Sequence, residues 1–123
     1  MSMVVRSEPL DRLRAICLAL PEATERETWE QATFRVREKI FAMAGNGRGR
    51  WAVSCKARPG LQAALVASDA ERFFVPPYVG PKGWIGVYLG DETDWDELTD
   101  LIEESYRMTA PKRVAALLDL EPR

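Results

Sequence analysis

Seven cations crowd the stretch 33–58: Arg35, Arg37, Lys39, Arg48, Arg50, Lys56 and Arg58, against a lone acid, Glu38. Their local charge is +6, in a chain whose total is −2. Guanidinium and ammonium groups at this density suit one kind of chemistry, contact with phosphate oxygens. Such contacts position a nucleic acid without reading its bases. A solvated sheet face, neutralised by the acids at positions 91–104, would use the same residues. The pI of about 5.3 is well below that of a committed DNA binder.

A second cluster follows the first. Pro76, Pro77, Tyr78, Gly80, Pro81, Lys82 and Trp84 form a stiff loop rich in aromatic groups. Tyr78, Lys82 and Trp84, with Lys56 and Arg58 from the basic stretch, define an alternative site for a small anion or a protein partner. The bland reading of this loop is that its aromatics complete the core.

Reaction chemistry has little to work with. The chain has no histidine, which removes Ser-His and Cys-His nucleophiles and imidazole metal ligands. Cys17 and Cys55 cannot make a zinc site by themselves and read as two buried free thiols. The acids at 91–104 lack the positions and glycine of a calcium loop. The expectation is therefore no enzyme: no catalytic residue, no metal, no cofactor. The run GlyAsnGlyArgGly at 45–49 has the wrong spacing for a dinucleotide fingerprint and reads as a hairpin tip.

The elements that carry these residues are legible from periodicity. Phe34 and Val36 alternate with Arg35 and Arg37. Ile40, Ala42 and Ala44 alternate with Phe41 and Met43, and Trp51, Val53 and Cys55 with Ala52, Ser54 and Lys56. This predicts a three-strand antiparallel meander, broken at Glu38-Lys39 and at 45–49. Positions 24–29 add a short edge strand guarded by glutamates.

Leu10, Leu13, Ile16, Cys17 and Leu20 predict an amphipathic helix, with residues 1–8 as a lead. Positions 61–67 predict a short helix, and the Ser68-to-Glu71 spacing a further helical turn. Positions 84–89 read as a core strand. Asp94 and Glu97 cap a long helix whose buried side is Trp95, Leu98, Leu101, Ile102, Ser105 and Met108. Pro111 opens a last helix, with Val114, Leu117 and Leu118 inward. The economical solution is α+β: a single domain over 1–123, a two-layer sandwich with helices packed on one face of an antiparallel sheet. Nothing in the sequence approaches a membrane span or a signal peptide, and the two-cysteine usage fits a reducing compartment. The expected location is cytoplasmic, with no membrane partner. Oligomeric state is not legible.

Taken in order, several segments resemble the YjbR/MmcQ family of small bacterial proteins. They are LeuPro at 20–21, PheArgValArgGluLysIlePheAla at 34–42, SerCysLysAla at 54–57, ProProTyrValGly with LysGlyTrpIleGlyValTyrLeu at 76–89, and LeuIleGluGluSerTyr at 101–106. The resemblance implies a fold related to the CyaY-like and secretion-chaperone-like folds. It also implies DNA binding through a double-wing surface, with the wings here at Glu38-Lys39 and at 45–49. No catalytic motif comes with it. The resulting expectation is a non-enzymatic DNA binder that uses the basic meander, with the 76–84 loop as the alternative site.

Overall fold

The computed structural model describes residues 8–28, 31–47 and 49–120. The lead at 1–7, Trp29, Glu30, Arg48 and residues 121–123 lie outside the described residues. The chain runs α1 (Glu8–Leu18), β1 (Ala23–Thr28), β2 (Gln31–Val36), β3 (Lys39–Gly47), β4 (Arg50–Cys55), α2 (Leu61–Ser68), β5 (Phe73–Phe74), a short 3-10 turn (Gly80–Lys82), β6 (Ile85–Tyr88), α3 (Trp95–Thr109), α4 (Lys112–Ala115) and α5 (Leu117–Leu120). The six strands form one sheet in the order β1-β2-β3-β4-β6-β5, and every pairing is antiparallel. The fold is α+β, as the periodicities predict.

The register explains which side chains are buried. Ala32, Ala44, Val53, Val87 and Phe73 stand in one cross-strand row. Phe34, Ala42, Cys55 and Ile85 make the next. Both rows enter the core, where they meet Leu13 and Cys17 of α1 and Leu98, Ile102 and Tyr106 of α3. Alternation sends Thr33, Met43, Ser54, Gly86 and Phe74 to the opposite face. There Phe74 lies across Gly86, where an added Cβ would come within 2.4 Å of the ring. Phe74 also packs on Tyr88, with ring centroids 4.5 Å apart.

Four details differ from the sequence reading. A register shift between Phe34 and Arg35 turns Phe41 into the core, against Tyr106, and leaves Ile40 half-buried. Residues 69–72 form a single turn into β5, closed by the Arg72 and Phe73 amides on the Asp69 carbonyl, but Ser68 does not cap it, because its Oγ donates back to the Leu65 carbonyl. Met108 and Leu117 are exposed, and Tyr106 takes the buried place on α3. The β3–β4 tip is tighter than a loose five-residue loop, since Gly47 pairs directly with Arg50.

The caps of α3 follow the sequence. Asp94 is the N-cap and its side chain accepts from the Glu97 amide at 3.0 Å. Among the described residues no helix is long and apolar enough to cross a membrane.

A lysine end and an acidic end of the sheet

Strand β3 spans nine residues, so its two turns lie about 26 Å apart at ~3.3 Å per residue. The β2–β3 turn and the β3–β4 tip therefore belong to opposite ends of the sheet. This separates cations that are neighbours in sequence.

At the first end, Lys39 opens β3, Lys56 follows the last residue of β4, and Lys82 closes the turn before β6. The pairings of Ala42 with Cys55 and of Cys55 with Ile85 bring these three points to one edge. Three of the chain's four lysines meet here. None has an ion pair among the described residues, because arginines hold the nearby acids. Arg37 donates to both oxygens of Glu22, at 2.6 and 3.3 Å. Arg26 holds Glu38 at 2.9 Å, and Arg58 holds Glu104 at 2.9 Å.

Lys56 feels the other two. Lys56 is half-buried, and burial first, then repulsion from Lys39 and Lys82, hold its ammonium below the usual lysine value. An uncompensated group of this kind favours an anion. Its support is rigid: the Lys56 amide donates to Ser105 Oγ at 2.9 Å, and that hydroxyl donates to the Phe41 carbonyl at 2.6 Å.

The turn carrying Lys82 is also braced. Gln62 Nε2 donates to the Gly80 carbonyl at 2.9 Å and to the Trp84 carbonyl at 2.6 Å. Gly80 has no room for a side chain, since a Cβ would meet Val75 Cγ1 at 2.5 Å. Of the loop aromatics, Trp84 is 7% exposed and packs inward, so it lines no open site. Tyr78 is 93% exposed.

The far end is different. Arg50 starts β4 and stacks over Tyr88, 4.0 Å from the ring centroid. It borders an open cleft of about 640 Å³ lined by Asp69, Glu71, Asp91, Glu92, Asp94 and Glu97. Arg72 spans that cleft, held by Asp69 at 2.8 Å and Glu97 at 2.9 Å. Acids outnumber cations here, and the field opposes an anion.

The seven meander cations thus do not form one surface. Lys39 and Lys56 join Lys82, a residue of the alternative set. Arg37 and Arg58 are ion-paired. Arg35 Nε is turned to Thr33 Oγ1 at 3.2 Å. Arg50 stands at the acidic end, and Arg48 lies outside the described residues. Among the described residues no group of His, Cys, Asp or Glu side chains could hold a metal ion. Both thiols are buried, and burial pushes Cys55 up to about 12 and raises Cys17 as well.

These features define a small α+β sandwich with a braced, unpaired cationic edge. The chain belongs to the YjbR family, whose model matches residues 18–108. Its fold is similar to the crystal structure of Deinococcus radiodurans protein DR2400, which carries a DUF419 domain. The TM-score is 0.72, with 22% identity over 80% of this chain and 76% of that one. No curated protein matches the sequence.

Proposed function

We propose that this chain is a non-enzymatic binder of nucleic-acid phosphates, and that Lys39, Lys56 and Lys82 make the contacts. The observation that carries this reading is the segregation of charge: three lysines with no ion pair among the described residues at one end of the sheet, where arginines hold the acids, and an acid-lined cleft at the other. The family resemblance to double-wing DNA binders supports it. Of the two wings, the β2–β3 turn belongs to the contact surface. The β3–β4 tip, beside the acids, does not.

Fluorescence anisotropy on a labelled duplex tests the proposal. Three phosphate contacts give a slope of log K against log salt of about −2.7. Replacing all three lysines by alanine removes binding, and Arg50→Ala leaves it unchanged. A parent protein that does not bind at low salt, or a triple variant that binds like the parent, overturns the reading.

A second reading keeps the site and changes the ligand to a small phosphate-bearing molecule. The crowding of Lys56 by Lys39 and Lys82 favours it, because converging ammonium groups suit a compact anion. Inorganic phosphate would then raise the melting temperature by mass action, and more so than chloride at equal ionic strength.

A further inference from the structure

Tyr78 is placed in a way that core packing does not explain. Its ring is almost wholly exposed, while its backbone sits at φ +68, a conformation costly for a side chain of this size. The loop enforces that geometry. The Gly80 amide donates to the Pro76 carbonyl at 2.9 Å, and the Val79 amide to the Pro77 carbonyl at 2.7 Å. Pro76 and Pro77 stiffen one side, and Gln62 clamps the other. The result is a flat aromatic ring held out in water on a stiff support, four residues from Lys82.

We infer that the partner of the lysine end is an unpaired nucleic-acid strand, one of whose bases stacks on Tyr78 while its phosphates engage Lys82, Lys56 and Lys39. This rests on the phosphate-binding reading above. A base inside a duplex has both faces already stacked, so a protruding ring gains nothing there. An unpaired base has a free face of any identity, and stacking on an aromatic side chain is tolerant of sequence. A flexible single strand can also bend around one sheet edge and bring successive phosphates to a compact triad, which a stiff duplex cannot follow. The pre-set turn lowers the ordering cost of binding, because the backbone that carries the ring is already fixed in place.

The test compares a labelled thymidine single strand of about 12 nucleotides, within the range of known single-strand site sizes, with a duplex of the same length. The parent is expected to favour the single strand. Tyr78→Ala weakens that binding by about 10-fold or more, with the duplex unaffected. Tyr78→Phe, which keeps the ring, restores it. The salt slope of Tyr78→Ala stays near the parent's, because no phosphate contact is lost. The triple lysine variant loses both probes. Two results sink this inference and leave the phosphate reading standing: equal single-strand binding by the parent and Tyr78→Ala, or a preference for duplex. A triple lysine variant that binds both probes like the parent sinks the phosphate reading itself. Melting curves confirm that each variant is folded.

Discussion

The Ser105 hydroxyl, fully buried on α3, accepts a hydrogen bond from the backbone amide of Lys56 at 2.9 Å. The same oxygen donates to the Phe41 carbonyl at 2.6 Å, so one hydroxyl joins the helix to β3 and to the chain just past β4. It also fixes the backbone from which the central lysine projects. Ser105→Ala would leave the Lys56 amide and the Phe41 carbonyl without this partner. The expected loss is about 1–3 kcal/mol, read as a lower urea midpoint with an unchanged m-value. Anion binding by the folded fraction should weaken as well, because Lys56 loses its anchor.

That relationship lies beyond a linear reading. In the sequence Ser105 reads only as one residue of the buried side of α3, and its partners are 64 and 49 positions away. The meander is legible because period-two alternation is a local property of a half-buried strand. Phe41 is legible only as a strand residue: alternation with Ile40 puts it outward, and the register shift at Phe34 turns it in. The Ser68-to-Glu71 spacing misleads because hydroxyl chemistry is symmetrical. Ser68 donates to the preceding turn instead of accepting from the next, and Asp69 organises the turn by accepting from the Glu71 amide and Arg72. The lysine end is illegible for a further reason. Charge density along the sequence singles out the arginines, yet the arginines consume the acids, and the strand order β3-β4-β6 then joins Lys39, Lys56 and Lys82. The signal that separates the two cation types is pairing, which only the folded chain has.

The β2–β3 turn stores strain that substitution should release. Arg37 and Glu38 have φ of 52 and 69, the pattern of a primed hairpin turn, which normally uses Asn-Gly. Here the turn is held by ion pairs to Glu22 and Arg26. Both pairs are exposed and contribute little. Arg37→Asn with Glu38→Gly is expected to stabilise the fold by about 1 kcal/mol, the relief of two left-handed residues less the lost pairs. Thermal melting measures it. A lower melting temperature would show that the ion pairs, not the turn geometry, dominate.

The two thiols should be inert in the native state. Cys55 is fully buried, with its ionisation pushed to about 12 by burial first and Glu104 second, and Cys17 is raised by the same burial. Alkylation needs the thiolate and access. Iodoacetamide near neutral pH is therefore expected to modify neither residue until denaturant is added, after which both react. Mass spectrometry counts the adducts. Labelling of folded protein would place a thiol within reach of solvent, against the burial of both in the core.

Lys56 links stability to pH with a definite sign. Its folded-state value lies below the ordinary lysine value, through burial and the charges of Lys39 and Lys82. Between the folded and unfolded values, the unfolded chain holds more protons on this group, so stability rises with pH. The window is alkaline, from the depressed value up to the ordinary lysine range near 10.5. Below it the charged ammonium destabilises the fold by a constant amount, and above it that penalty is gone. Lys56→Gln should therefore melt higher than the parent at neutral pH, with the difference shrinking as pH climbs through the window. An anion has the same effect by a different route: phosphate neutralises the repulsion, so it should stabilise the parent more than Lys56→Gln. Calorimetry across the alkaline range, with and without phosphate, separates these contributions. A variant that melts below the parent at neutral pH would mean that the Lys56 ammonium is already compensated in the free protein, and the lysine end would lose its claim on an anion.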